Sequence, residues 1–202
     1  MQAGNFYHIY NRANGKERLF MGEDNYLYFL QQFKKYISPI ADIYAYCLIP
    51  NHFHFVILIK SEKELNVFFA EKLSKGSKPL ESLLSLQFSH CFNSYTQAFN
   101  KKHKRKGSLF SPNYKRKLIT EKEYLQQVIL YVHLNPVKHQ LEKDFTNYKY
   151  SSYQSMISEK PTLIKRNEVI ELFDDIENFK FVHQEQKVKT TLINEIVELD
   201  IE

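Results

Sequence analysis

Residues 50–59 contain two histidines, His52 and His54, at the start of a strongly apolar run. Side chains in a β-strand alternate between faces, so the two imidazoles share one face while Phe53 and Phe55 occupy the other. Residues two apart on a strand have Cα atoms roughly 6.6–7 Å apart, which lets both rings reach one metal ion. The run therefore predicts a core strand whose histidine face is the first candidate for chemistry.

Hydrophobic periodicity predicts alternating strands and helices over the first two thirds of the chain. The predicted strands lie at residues 6–10, 43–49, 52–59 and 114–119. The predicted helices lie at residues 24–36 and 80–100, and from a capping box at Thr120–Glu123 to Asn135, which precedes a proline. A short link through Pro50 and Asn51 predicts a hairpin between the second and third strands. This order predicts an α+β fold with an antiparallel sheet and helices packed on one face.

The C-terminal part of the chain has a weaker pattern. Residues 62–80 predict a short helix followed by a loop at residues 74–79, and two acidic helical pieces are predicted at residues 167–173 and 175–183. We therefore expect one domain over residues 1–155 and a small, partly helical, acidic extension over residues 156–202.

The net charge of +5 is unevenly distributed. Residues 1–157 contain 22 Lys and Arg against 12 Asp and Glu, whereas residues 158–202 contain 6 against 11. No acidic residue lies between Ser82 and Thr120, and this asymmetry indicates a polyanionic partner. The candidate phosphate contacts are Lys101, Lys102, Lys104, Arg105, Lys106, Lys115, Arg116, Lys117 and Lys138. Phe110 and Tyr114 lie among them and fit either stacking on unpaired bases or packing in the core.

Two cysteines, Cys47 and Cys91, are too few for a disulfide framework and fit a reducing compartment. No apolar stretch approaches 18 residues, and the first residues do not form a signal peptide. We therefore expect a soluble, cytoplasmic protein that does not associate with membranes.

The helix predicted after Thr120 carries a second candidate group. Tyr131 and Asn135 are four residues apart and so lie on one helix face. A phenol is a weak nucleophile unless a cation lowers its pKa or orients its target, so a reactive tyrosine needs metal or basic groups nearby. Tyr124 lies seven residues earlier on nearly the same face and competes for the role, and simple packing of the Tyr131 ring is the alternative.

For the histidine pair, mixed nitrogen and oxygen ligands suit Mg²⁺ or Mn²⁺ bound with a phosphate, whereas imidazoles alone suit Zn²⁺ equally well.

Taken in order, these motifs resemble the single-tyrosine transposases of the HUH superfamily, in which U stands for a hydrophobic residue. The similarity is greatest to the branch called REP-associated tyrosine transposases and spans roughly residues 5–155. The matching motifs are Tyr7-His8-Ile9-Tyr10-Asn11-Arg12, Leu48-Ile49-Pro50-Asn51-His52-Phe53-His54-Phe55, Phe99-Asn100, Gly107-Ser108-Leu109-Phe110, Tyr131-Val132-His133-Leu134-Asn135-Pro136-Val137-Lys138 and Tyr150-Ser151-Ser152-Tyr153. His-Phe-His alone is unspecific, but the ordered set is specific. Lys149 and Tyr150 stand where relatives often have tryptophan.

The resemblance implies a ferredoxin-like α+β fold, a site and a reaction. His52 and His54, with Asn135 as third ligand, are expected to bind Mg²⁺ or Mn²⁺. Tyr131 is expected to attack single-stranded DNA, forming a 5′-phosphotyrosine link and a free 3′-OH. The partner is expected to be hairpin DNA held by residues 101–117 together with Arg12 and Lys138. No ATP is needed, and the chain has no Gly-x-x-x-x-Gly-Lys loop.

Two other functions stay open from the sequence. The first is a domesticated hairpin-binding protein that no longer moves DNA, and the second is a metal hydrolase acting on small phosphates. The sequence leaves open whether the protein acts as a monomer or a homodimer.

Overall fold

The sheet is built from four antiparallel strands in a computed structural model that describes residues 1–74 and 79–188. The strands are β1 (Phe6–Arg12), β2 (Ala41–Ile49), β3 (His52–Ile59) and β4 (Lys115–Ile119), and their spatial order is β2-β3-β1-β4. Strands β2 and β3 pair from Ile49 opposite His52 onward, so Pro50 and Asn51 form the predicted hairpin turn. The α+β prediction is confirmed.

The helices follow the predicted order. They are α1 (Glu23–Tyr36), α2 (Glu62–Phe68), α3 (Ala70–Ser74), α4 (Leu80–Lys102), α5 (Lys122–Lys138), α6 (Tyr153–Ile157), α7 (Arg166–Leu172) and α8 (Ile176–Val188), with a 3₁₀ turn at Phe145–Asn147. The loop predicted at residues 74–79 lies mostly outside the described residues, as does the tail after residue 188. None of the helices described here is long and apolar enough to cross a membrane.

Phenylalanine rings fill the space between the sheet and helices α1 and α4. Phe33 of α1 stacks on Phe55 of β3 with ring centres 3.7 Å apart, and Phe29 lies 5.1 Å from Phe53. Phe88 and its neighbours along α4 close this layer. The predicted packing on one face holds for α1 and α4. Helix α5 packs on the opposite face, against β2 and β3, so helices cover both faces of the sheet.

The two ends of α5 differ from the prediction. The N-cap is Glu121, and no side-chain cap bond forms, because the helix begins one residue later than a capping box at Thr120 requires. The helix also continues through Pro136 to Lys138. Burial of Asn135 and Pro136 in the core outweighs the tendency of a proline to end the helix before it, and the His139 N–H donates to the Asn135 carbonyl at 3.0 Å. Asn135 therefore stays helical, one turn after Tyr131.

A buried hydrogen-bond network joins α5 to the C-terminal helices. The His183 Nδ1–H donates to the Phe179 carbonyl at 2.7 Å, so His183 Nε2 accepts the Nδ1–H of His133 at 2.9 Å. His133 Nε2 is then left to accept the hydroxyl of Ser152 at 2.8 Å. The N–H of Ser152 in turn donates to the Tyr46 carbonyl of β2 at 2.9 Å. Helices α5 and α8 and strand β2 are thus connected through groups that are closed to solvent.

Candidate active site

Strand β3 presents its two histidines to α5. Phe53 and Phe55 fill the core on the α1 side, and this alternation leaves His52 and His54 on the other face. Their ring centres are 5.0 Å apart and the ring planes are nearly perpendicular, at 87°. His54 is buried, whereas His52 is partly open to solvent.

Helix α5 brings Tyr131 and Asn135 to the same place. Asn135 Oδ1 lies 3.1 Å from His52 Nε2, and the Tyr131 ring centre lies 5.3 Å from that of His54. Both α5 side chains are buried. The one-turn spacing along α5 therefore matches the two-residue spacing along β3, and each helix residue meets one histidine.

His52 lies between two amide oxygens and has one proton to give them. Burial lowers the pKa of His52 to about 3, so the ring is neutral near pH 7 and carries one N–H. The side-chain oxygen of Asn51 lies 3.0 Å from His52 Nδ1 and that of Asn135 lies 3.1 Å from Nε2, so the ring can donate to only one of them. With the proton on Nδ1, the Nε2 lone pair faces the oxygen of Asn135, and two electron-pair donors at this separation are in the position that a shared cation would satisfy.

His54 is neutral for the same reason, because burial and the neighbouring imidazoles hold its pKa well below its usual range. Its Nδ1 atom lies 3.0 Å from Nε2 of His8 on β1, and both rings are buried. Within the part of the chain that the structure describes, His54 Nε2 and the Asn135 amide nitrogen are buried without a hydrogen-bond partner. Such atoms are uncommon in folded proteins, and a bound ligand is one way in which they become satisfied.

These residues fit a divalent metal ion. Two ligands at right angles on an ion with bonds of 2.0–2.1 Å are about 3.0 Å apart, close to the 3.1 Å between His52 Nε2 and Asn135 Oδ1. Across the described residues, no group of three or more His, Cys, Asp or Glu side chains is arranged to hold a metal. A metal here therefore depends on two imidazoles and an amide oxygen. That is a sparse protein ligand set, and it leaves positions for substrate oxygens.

A cation lies beside Tyr131 on the same helix. The Lys138 ammonium is 5.2 Å from the centre of the Tyr131 ring, close enough for a cation–π contact. The competing residue, Tyr124, has Lys117 at 5.5 Å from its ring and is only partly buried. Of these two tyrosines, it is Tyr131 whose ring contacts His8 and His54 among the described residues.

Strand register separates the predicted basic residues between the two faces of the sheet. Residues directly opposite each other in antiparallel strands project to the same face. Arg12 is opposite His52, Tyr10 is opposite His54, and Lys115 is opposite Tyr10, so these side chains share the histidine face. Lys117 is opposite His8 and joins them.

Arg116 lies on the other face. It is opposite Ile9, which is fully buried on the α1 side. The alternation of β4 therefore divides the run Lys115-Arg116-Lys117, and only its two lysines lie on the face that bears the histidines.

The run after α4 is also divided. The Arg105 guanidinium donates to Glu17 at 3.0 Å, to Asn100 at 2.9 Å and to the Ser108 carbonyl at 2.7 Å, and its side chain is 17% exposed. Arg105 therefore ties the loop after α4 to the loop after β1. Lys102 forms an ion pair with Asp24. The side chains of Lys101, Lys104 and Lys106 are exposed.

The two aromatic residues in this basic region belong to the core. Phe110 is buried among the rings of Phe53 and Phe92, and Tyr114 stacks on Phe88 at 5.1 Å. Of the two readings open from the sequence, the structure supports core packing for both.

Sequence reasoning did not select three residues near the site. His8 contacts His54, Tyr10 lies partly exposed beside both rings, and the exposed His139 has its ring centre 4.6 Å from that of His52. The alternation of β1, which puts His8 and Tyr10 on one face, can be predicted from the sequence. The pairing of β1 with β3, which brings these two residues to His52 and His54, cannot.

The fold has a known counterpart. A four-stranded antiparallel sheet between α1 and α4 on one side and α5 on the other defines the α+β class of this chain. The arrangement is similar to the solved structure of a REP-associated tyrosine transposase bound to a REP hairpin, with a TM-score of 0.59. The two sequences are 14% identical, and the match covers 79% of this chain and 84% of that one. No family model and no curated protein sequence matches the chain. The likeness therefore establishes the fold alone.

Proposed function

We propose that this protein is a transposase that cuts and rejoins hairpin-forming single-stranded DNA through a covalent link to Tyr131. The observation that carries the proposal is that Tyr131, His52, His54 and Asn135, which come from two separate elements, meet at one point of the sheet. The solved structure that shares the fold is a transposase bound to a hairpin, and this supports the choice of substrate.

His52, His54 and Asn135 would hold Mg²⁺ or Mn²⁺ through two imidazole nitrogens and an amide oxygen. When bound there, the ion offsets negative charge on the scissile phosphate. The neutral state of both histidines favours this role, because a protonated imidazole has no free lone pair to give.

The reaction conserves one phosphodiester bond at every stage. The Tyr131 oxygen forms a bond to phosphorus while the bond to the 3′-oxygen breaks. The phenol gives up one proton and the departing 3′-oxygen gains one, so no proton is consumed overall. The Lys138 ammonium next to the Tyr131 ring favours the developing phenolate. Attack by a 3′-OH on the phosphotyrosine reverses the step, and no nucleotide cofactor is required.

The DNA strand would lie across the histidine face on β1 and β4. Helix α5 packs on β2 and β3, and beside it Arg12 and Lys115 are exposed while Lys117 and Tyr10 are partly exposed. Cationic side chains next to an aromatic ring suit a single strand, whose phosphates they contact and whose bases can stack. The exposed Lys101, Lys104 and Lys106 would contact the backbone of the hairpin stem.

A covalent adduct tests the proposal. Labelled single-stranded hairpin DNA is incubated with the protein and Mn²⁺ and then separated on a denaturing gel. We expect a protein–DNA adduct with the wild type, none with Tyr131→Phe, and none with His54→Ala. Tyr124→Phe is the matched control, since it removes a hydroxyl seven residues away on the same helix, and it should still form the adduct.

The outcomes separate the remaining functions. An adduct that persists in Tyr131→Phe and disappears in Tyr124→Phe would overturn the choice of nucleophile. Tight hairpin binding without an adduct in any protein would instead support the domesticated binding protein. Hydrolysis of a small phosphate ester without hairpin binding would support the metal hydrolase.

A further inference from the structure

The hydrogen bond between His8 and His54 determines which nitrogen of His54 carries the proton. Both rings are almost fully buried, at 2% and 1% exposure, and His8 Nε2 lies 3.0 Å from His54 Nδ1. One of these two nitrogens must donate and the other must accept. A neutral imidazole has a single N–H, so in this form the direction of the bond decides the state of the other His54 nitrogen, Nε2.

The two directions have opposite consequences for the site. If His8 donates, the His54 proton is on Nε2, and a buried N–H points into the site without a described partner. If His54 donates from Nδ1, the Nε2 lone pair is free to bind a metal ion. A metal ion can satisfy the lone pair left by the second direction but not the N–H left by the first, so only the second direction is compatible with metal binding at this nitrogen.

His52 has a comparable acceptor beside its Nδ1 atom. The Asn51 oxygen lies 3.0 Å from Nδ1, so a ring protonated on Nδ1 donates there and directs its Nε2 lone pair towards Asn135. Metal-binding histidines in general donate their second N–H to an acceptor that fixes the tautomer and the ring orientation. Each histidine of the pair thus has such a neighbour, and for His54 that neighbour is His8.

We propose that His8 is a positioning residue that accepts the Nδ1–H of His54 and so keeps its Nε2 lone pair directed into the metal site. The proposal rests on the metal-binding role given above to His54. The contact between the two residues follows from the strand register. Strand β1 pairs with β3, and His8 and His54 lie diagonally across that pair on the same face of the sheet. His8 touches neither metal nor DNA in this role and acts only through His54.

The tautomer can be measured directly in the protein without metal. Long-range ¹H–¹⁵N spectra of the ¹⁵N-histidine-labelled chain at about pH 8 distinguish a ring protonated on Nδ1 from one protonated on Nε2, and His54→Gln assigns the signal. We expect the wild-type His54 to be protonated on Nδ1. A wild-type His54 protonated on Nε2 overturns the proposal whatever the variants do.

Two variants test the role of His8 in metal binding. His8→Phe keeps an aromatic ring but has no acceptor, and it should shift His54 towards the Nε2–H tautomer and weaken Mn²⁺ binding on the order of 10–100-fold. His8→Gln places an amide oxygen near the same point and should keep both the tautomer and the Mn²⁺ affinity. Mn²⁺ binding is followed by the electron paramagnetic resonance signal of the free ion, and circular dichroism confirms that each variant is folded.

The result also separates this proposal from the proposed function. If His8→Phe folds and keeps both the wild-type tautomer and the wild-type Mn²⁺ affinity, His8 only packs and the inference is wrong. If the wild type binds no Mn²⁺, the metal site of the proposed function is overturned. The tautomer of His54, measured without metal, still decides whether His8 positions it.

Discussion

His52 Nε2 and Asn135 Oδ1 lie 3.1 Å apart although the two residues are 83 positions apart in the chain. One belongs to the hairpin strand β3 and the other to the last turn of α5, so the contact exists only when the sheet and the helix are both in place. Their short distance links the strand motif to the tyrosine helix.

Loss of the Asn135 oxygen should weaken metal binding. We expect Asn135→Ala to lower Mn²⁺ affinity at least 10-fold, because one of three protein ligands is removed. Gln127→Ala, which removes an exposed amide from the same helix, should leave the affinity unchanged. Titration of Mn²⁺ into the DNA-free protein provides the measurement. Equal affinities in the two variants would contradict the ligand role of Asn135.

The two faces of β4 should differ in DNA binding. Lys115→Gln and Lys117→Gln should each reduce the slope of log affinity against log salt by about 0.7 for single-stranded DNA, the value for one lost phosphate contact. Arg116→Gln changes the same charge on the opposite face and should leave the slope unaltered. Fluorescence anisotropy at several salt concentrations measures it. A larger effect for Arg116 than for the two lysines would mean that DNA binds the face of the sheet opposite the histidines.

Arg105 should matter for stability rather than for DNA. Arg105→Ala removes hydrogen bonds to Glu17, Asn100 and Ser108, and we expect the free energy of unfolding to fall by about 2 kcal/mol. Lys106→Ala removes an exposed charge one residue away and should change stability by less than about 0.5 kcal/mol. Urea unfolding measures both. If Arg105→Ala left the stability unchanged and reduced the slope of log DNA affinity against log salt, Arg105 would be a DNA contact as the sequence predicts.

Acid should destabilise the attachment of α8. Burial lowers the pKa of His183 to about 4, whereas a histidine in an unfolded chain titrates near 6.5. Between these values the unfolded chain binds the proton and the folded chain does not, so stability is present above about pH 6.5 and is lost as the pH falls towards 4. His183 alone contributes about 1.4 kcal/mol per pH unit in this window. Urea unfolding at several pH values should show a shallower slope in His183→Gln, and an unchanged slope would rule out His183 as a source.

The sequence predicted what depends on local periodicity. The alternation along His52–Ile59 and the four-residue spacing of Tyr131 and Asn135 fix which side chains share a face, and both hold in the structure. The pairing of β1 with β3 and β4 joins distant segments, and no local pattern encodes it, so His8 was not recognised. A run of basic residues does not by itself predict which of them share a surface, because Lys115 and Arg116 are neighbours in sequence but lie on opposite faces of the sheet. The end of α5 was misplaced because burial of Asn135 and Pro136 outweighs a local rule about proline.

The hydrogen bond between His133 and His183 bears on which truncated forms of this chain can fold. His133 is two residues after Tyr131 and projects towards α8, and its Nδ1–H is satisfied there by His183. A fragment that stops at residue 155, where the sequence resemblance ends, would leave that N–H unsatisfied on the helix that carries the tyrosine, and would expose the site where Phe179 is buried. We therefore expect the smallest fragment that folds by itself to include α8, although α8 contributes no residue to the proposed chemistry.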